Sequence, residues 1–163
     1  MDFTIPEELK MVQNSVREFV KDELIPLERE VLGREGDPAT GRVALPPEED
    51  QRLFQLVEEM GLWGMSVPEE LGGVGLSTLG ICLIEEELAR TIIPFSLGDI
   101  SPVLFDGDEA QRQRYLQPLL TGEKRASIAL MEAGGGDPTD INTTAEKRNG
   151  AYVINGEKLC MAH

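Results

Sequence analysis

Ser-Ile-Ala-Leu-Met-Glu-Ala-Gly-Gly-Gly-Asp-Pro-Thr-Asp-Ile, residues 127–141, decides the fold, because the sequence changes there from helical to strand-like patterning. Ser127 to Met131 is a short apolar run suited to a buried strand. Gly134, Gly135 and Gly136 then allow backbone to come close to a ligand, and such a turn can direct several N–H groups at an anion. Three glycines before Asp137-Pro138 more often make a plain turn, so the run alone carries little weight. A P-loop needs Lys and Ser/Thr after its glycines, and a dinucleotide fingerprint needs G-x-G-x-x-G opening a helix. Neither pattern is present, and any anion here would be held by turn amides without a helix dipole.

Upstream of this stretch the period is helical. Pro6 followed by Glu7 and Glu8 is a helix start, with proline tolerated in the first turn and acids favoured by the dipole. Leu9, Val12, Val16, Phe19, Val20, Leu24, Leu27 and Val31 form one apolar stripe, which Pro26 should kink or end. Gly33 to Gly41 reads as a polar loop. Pro46-Pro47-Glu48-Glu49 opens a second helix with Leu53, Leu56, Val57 and Met60 inside and Gly61 as C-cap. Residues 62–75 are rich in glycine yet apolar, which predicts a packed loop. Ser77 caps a third helix to about Arg90, expected to be buried in the middle of a bundle. Glu85-Glu86-Glu87 are three consecutive positions that spread around a helix, which favours a partly solvated face over catalytic carboxylates. Pro94 to Phe105 reads as a further helix, and Asp108 with Gln111 resembles a capping box that opens a helix to Leu120, closed by Gly122.

Downstream, Thr143–Arg148, Ala151–Ile154 and Glu157–Met161 read as short strands joined at Asn149-Gly150 and Asn155-Gly156, both hairpin signals. The fold class expected is therefore α+β: an all-α helical bundle over residues 1–122, then the first strands of an antiparallel β domain over 123–163. From Glu123 to His163 there are 41 residues, close to the roughly 40 below which a domain needs a staple or a partner. The expectation is that this segment is an incomplete domain and the chain a piece of a longer protein.

Composition narrows the chemistry. Fifteen basic against thirty acidic residues give a net charge of −15, which argues against nucleic acid or an anionic membrane as partner. No apolar run approaches the roughly 20 residues of a membrane helix, and residues 1–3 lack the basic and apolar regions of a signal peptide, so the default location is cytoplasmic. Cys82 and Cys160 lie far apart, and His163 is the single histidine. No metal site and no Ser-His-Asp or Cys-His arrangement is expected from that material.

Several separate motifs, in order, carry a family resemblance. Gly-Leu-Trp-Gly-Met-Ser-Val-Pro-Glu-Glu-Leu-Gly-Gly-Val-Gly-Leu-Ser (61–77) followed by Glu85-Glu86-Glu87-Leu88-Ala89-Arg90 resembles the amino-terminal helical domain of acyl-CoA dehydrogenases. Tyr115 to Glu123 resembles the helix before the family's middle domain, Ala129 to Pro138 its flavin-side segment, and Tyr152 to Lys158 the strand turn that follows. The resemblance implies FAD as cofactor and acyl-CoA thioesters as substrates, oxidised to trans-2-enoyl-CoA in fatty-acid and lipid metabolism. It further implies electron transfer to an acceptor such as an electron-transfer flavoprotein, and a homo-oligomer. The proton-abstracting glutamate of most members lies in the family's last helical domain, so no catalytic residue is expected in this sequence.

The same resemblance assigns the flavin side. Ile128, Leu130 and Met131 fall where the family lines the flavin, and Gly135 and Gly136 where it approaches the cofactor and substrate phosphates. Cys160, Met161 and Ala162 stand where the family has Trp-Ile-Thr, so Cys160 and Ala162 replace an aromatic wall and a hydroxyl. Met131 likewise stands in place of a hydroxyl residue, and the glycine loop is one residue shorter than usual. Glu132 matches a family glutamate that is not the base, and a carboxylate beside a turn often accepts backbone amides. Two other functions share the scaffold: a non-catalytic member that binds acyl-CoA or partner subunits with a decayed flavin wall, and an acyl-CoA oxidase.

Overall fold

The computed structural model describes residues 4–34, 45–134 and 139–159. It divides into two compact units, Met1–Glu123 and Lys124–His163. Most of the loop read over Gly33 to Gly41, the tail of the last strand at Cys160-Met161, and Gly135, Gly136 and Ala162 lie outside the described residues.

The first unit is helical. Helix α1 (Glu7–Phe19) starts after Pro6 with Glu7 and Glu8 in its first turn. Pro26 neither ends the helical path nor is bypassed by it. Because proline supplies no N–H, the path widens into a π turn over Val20–Leu24, where the Ile25 N–H donates to the Val20 carbonyl. A 3₁₀ turn over Ile25–Leu27 follows, and α-geometry resumes as α2 (Glu28–Leu32). The same device recurs at Pro118. There α5 (Glu109–Gln111) passes through a π turn, Arg112–Leu116, into α6 (Gln117–Leu120), and the Gln117 N–H donates to Arg112.

Helix α3 (Pro47–Glu59) begins at the double proline and buries Leu53, Phe54 and Val57. Helix α4 (Thr78–Leu88) is capped by Ser77, whose hydroxyl accepts the Gly80 N–H at 3.3 Å. It is buried on one side only. Gly80, Leu83, Ile84, Glu87 and Leu88 face inward, whereas Leu79 and Cys82 are exposed, so the expected position in the middle of a bundle is corrected. Val16, Val20 and Leu24 meet Leu53, Val57 and Ile84 in the main core, and Val67, Ile100, Leu116 and Leu119 form a second one.

Residues 62–75 do form a packed loop. The Trp63 indole N–H donates to the Leu119 carbonyl at 2.9 Å and its ring meets Phe54 edge-on, with centroids 4.8 Å apart. The segment Pro94 to Phe105 is not an α-helix. It runs irregularly to a single 3₁₀ turn, Pro102–Leu104. Gly98 explains why: its φ is +80°, and a Cβ there would lie 2.8 Å from the Gly64 nitrogen and 2.9 Å from the Trp63 ring. Ile93, Leu97 and Ile100 are buried nonetheless, so the helix-like spacing reflects burial without helical geometry.

Asp108 and Gln111 make the reciprocal capping box, with the Asp108 carboxylate accepting the Gln111 N–H at 2.8 Å and the Gln111 side chain accepting the Asp108 N–H at 2.9 Å. Asp108→Ala should cost about 1 kcal/mol, read as a lower denaturant midpoint at unchanged slope.

Among its described residues the second unit contains one antiparallel hairpin, β1 (Thr144–Arg148) and β2 (Ala151–Asn155), paired from Thr144↔Asn155 to Arg148↔Ala151. Asn149 at φ 53° and Gly150 at φ 82° supply the positive angles of its two-residue turn. The third strand expected over Glu157–Met161 is absent from its described part, residues 157–159. Gly156 does not turn a second hairpin. It lies against Thr143, where a Cβ would come 2.1 Å from the hydroxyl oxygen. The buried strand expected over Ser127–Met131 is also corrected: Ile128 and Glu132 are isolated bridge residues, and the run between them is exposed. Among the described residues the two-stranded sheet has no second layer to bury such a run.

Candidate functional site

The apolar run, with Leu159 joined to it, is an exposed aliphatic segment of the second unit, termed the wall. Ile128, Leu130 and Met131 are 50, 43 and 41% exposed, and Leu159 is 40% exposed. Two strands of contact join these segments: the Leu159 N–H donates to the Met131 carbonyl at 2.9 Å, and the Lys158 ammonium donates to the Leu130 carbonyl at 3.2 Å. The wall ends at Gly134, whose φ is +99° and whose Cβ position has no neighbour within 4 Å. It therefore combines exposed aliphatic surface with open backbone, a combination that suits a flat apolar ring. Gly135, Gly136, Cys160 and Ala162, the other residues of the expected flavin side, lie outside the described residues.

Glu132 stands beside this wall and is fully engaged. Its carboxylate accepts the Asn142 N–H at 2.6 Å, the Thr143 N–H at 2.9 Å, the Thr143 hydroxyl at 2.5 Å and the Lys158 ammonium at 2.8 Å. The Lys158 hydrogen bond, then the Thr143 hydroxyl and the Asn142 N–H, hold its pKa far below the ordinary carboxylate range. A base poised for proton abstraction near neutral pH needs the opposite shift, so the geometry makes Glu132 an acceptor of backbone amides. That use of Glu132 is the one its place beside a turn suggests, whereas Lys158 in the sequence is simply part of the strand turn from Tyr152 to Lys158. No local signal marks Lys158, because its partners Leu130 and Glu132 lie 28 and 26 residues earlier in the chain.

Glu87 is a second carboxylate whose setting differs from expectation. Glu85 and Glu86 are exposed, but Glu87 is completely buried. It receives Arg17 through two contacts, Nε at 3.2 Å and Nη2 at 2.7 Å, the Gln13 amide at 3.0 Å and Arg90 Nε at 2.8 Å. The hydrogen bond from Arg17 lowers its pKa, with the Arg17 and Arg90 charges acting in the same direction and burial opposing them. This is a structural lock between α1 and α4.

Both glutamates have folded pKa values below their unfolded ones. The stability they contribute is therefore fully present above the unfolded glutamate value of about 4.3 and is lost as pH falls through the lower folded values. Melting temperature should accordingly drop between about pH 5 and pH 2, and Glu87→Gln should flatten that drop.

The profile of the family described as "Acyl-CoA dehydrogenase, N-terminal domain" matches residues 6–123. The chain belongs to the acyl-CoA dehydrogenase family. It is 38% identical to (R)-benzylsuccinyl-CoA dehydrogenase of Thauera aromatica over 98% of this chain and 42% of the relative. It is 32% identical to the mitochondrial short-chain specific acyl-CoA dehydrogenase of Mus musculus over 94% of this chain and 36% of the relative. Among solved structures, the acyl-CoA dehydrogenase of Bacillus anthracis complexed with FAD superposes with a TM-score of 0.67 at 31% identity, covering 96% of this chain and 27% of that one. The chain thus spans about two-fifths of the length of these curated acyl-CoA dehydrogenases. Among the described residues no helix is long and apolar enough to cross a membrane, and no group of acids, cysteines and histidines could hold a metal ion.

Proposed function

We propose that the chain is the amino-terminal portion of an FAD-dependent acyl-CoA dehydrogenase that oxidises acyl-CoA thioesters to trans-2-enoyl-CoA. The helical domain is assigned to residues 1–122 and the first strands of the middle domain to 123–163. The observation that carries the reading is the exposed apolar wall of Ile128, Leu130, Met131 and Leu159 beside the open backbone of Gly134, in a chain of this family. These residues fit one face of a flavin: aliphatic contact comes from the side chains and close approach from the glycine. Bound there, the cofactor supplies hydride acceptance.

The chain's own residues bind and orient. Ile128, Leu130 and Met131 exclude water from one side of the ring, and Gly135, Gly136, Cys160 and Ala162 are assigned to the same side on the resemblance. Met131 brings no hydroxyl, so orientation depends on backbone groups more than on side-chain donors. Glu132, a carboxylate beside the wall, is held ionised by Lys158, Thr143 and Asn142, which argues against its acting as the proton-abstracting base. An electron-transfer flavoprotein or similar acceptor is assigned as the electron partner, and a homo-oligomer as the working assembly.

The test is the visible absorption spectrum of the intact protein, purified natively and again after excess FAD and removal of unbound cofactor. A retained flavin band, with reduction on adding an acyl-CoA, is the expected result. Absence of a band after reconstitution overturns the cofactor assignment and favours the non-catalytic scaffold that Met131 in a hydroxyl position suggests.

A further inference from the structure

Among the described residues from 124 to 159, Glu132, Thr143 and Lys158 alone are not exposed. The side chains of Glu132 and Lys158 are 9 and 22% exposed, while every aliphatic residue of the wall is about half open. In this unit the usual order is inverted: the polar groups are shielded and the apolar ones face outward. Among the described residues of this unit, hydrophobic packing therefore does not set where the wall stands, because a segment held by packing buries its apolar side chains. What remains to hold it is polar.

Those polar contacts converge on two side chains. Glu132 ties residue 132 to Asn142 and Thr143 through both of its oxygens. Lys158 binds the same carboxylate and also the Leu130 carbonyl, and the next residue, Leu159, donates its N–H to Met131. Three segments, 130–132, 142–143 and 158–159, are thus registered through one carboxylate and one ammonium. Gly156 allows this approach, since any side chain there would strike Thr143. We propose that Glu132 and Lys158 are positioning residues, a polar clasp that fixes the register of the apolar wall against which the flavin ring lies.

The inference rests on the flavin reading above, and the clasp has a consequence independent of it. Removing either partner frees the 158–159 segment from 130–132, so amide protons at Thr143 and Leu159 exchange faster with or without cofactor. The wall then loses its register, and the ring meets a displaced surface. Charge-assisted hydrogen bonds of this kind are directional, so an arginine at 158 can keep the ammonium's contact to the carboxylate while a methionine of similar length cannot.

The experiment uses the intact protein and the variants Lys158→Met, Lys158→Arg and Glu132→Gln, with Thr143→Val as a milder change should either of the first and last fail to fold. Two quantities are read: amide exchange at Thr143 and Leu159 in the cofactor-free protein, and the dissociation constant and absorption envelope of added FAD. Expected are an exchange rate and an FAD dissociation constant raised about tenfold or more in Lys158→Met and Glu132→Gln, the scale on which displaced positioning groups act. Lys158→Arg should restore both to within about threefold of wild type, and Thr143→Val should shift both in the same direction by less. Unchanged exchange in Lys158→Met and Glu132→Gln overturns the clasp. Accelerated exchange with FAD affinity and absorption envelope unaltered overturns its role in positioning the wall. A wild-type protein that binds no FAD overturns the flavin reading instead, and the exchange data then still decide whether the clasp holds the segments.

Discussion

Arg17→Met combined with Arg90→Met should destabilise the helical unit more than removal of Glu87, the residue they both contact. Glu87 is completely buried, and its carboxylate is compensated by the two guanidinium groups and by the Gln13 amide. Stripping both cations leaves a buried charge facing a single neutral donor, a loss on the order of 3–5 kcal/mol for a buried carboxylate deprived of its partners. Removing the carboxylate is different, because Arg17 and Arg90 are each about half exposed and can turn into water. Glu87→Leu in the background of both arginine changes should therefore recover much of the loss, since an apolar triad needs no compensation. Urea unfolding of the four proteins reads the cycle. A double arginine variant as stable as wild type would show that Glu87 is not held by this lock.

The lock also explains why part of the fold was legible in the sequence and part was not. Local signals survived translation into structure. Pro46-Pro47 opens α3, Ser77 caps α4, Asp108 and Gln111 form their box, and Asn149-Gly150 turns the hairpin. Each of these depends on residues within four positions of one another, so the chain itself contains the whole determinant. Glu87 depends on Gln13 and Arg17, more than 70 positions away for the first and 70 for the second. Three glutamates in a row look equivalent on one helix, and only the placement of α1 singles out the third. Pro94 to Phe105 fails for a related reason. Its apolar spacing satisfies a helix, but Gly98 must take a positive φ to pass Trp63 and Gly64, a requirement that arises from a distant loop.

The candidate site divides in the same way. The apolar character of Ile128, Leu130 and Met131 is plain in the sequence, but the inference from apolar run to buried strand assumes a second layer of sheet, which the described residues of this unit do not form. Glu132 was legible as an acceptor beside a turn. The role of Lys158 was not, because its two partners, Leu130 and Glu132, lie 28 and 26 residues earlier. A hairpin motif at Asn155-Gly156 predicts local reversal, whereas the structure uses that glycine for close approach to Thr143.

Gly122→Ala should be among the most damaging single-methyl additions in the helical unit. Gly122 follows the last turn of α6 at φ +67°, a conformation that costs an L-residue about 1–2 kcal/mol. The added methyl would also lie 2.2 Å from Phe54 Cζ and 2.4 Å from its Cε2. Phe54 cannot simply swing aside: it is buried on α3 and its ring is fixed edge-on against Trp63, itself held by a hydrogen bond to Leu119 in α6. Overpacking against such a ring adds about 1–3 kcal/mol, for a total on the order of 3 kcal/mol. Backbone strain and overpacking can be separated. Phe54→Leu shortens the side chain and should relieve the overpacking in Gly122→Ala while leaving the strain. The double variant should then lose less than the sum of the two single losses, with a coupling of about 1–2 kcal/mol between contacting residues. Strictly additive losses in chemical denaturation would mean that the methyl is accommodated by movement of the chain after α6, and that Phe54 does not set the position of Gly122.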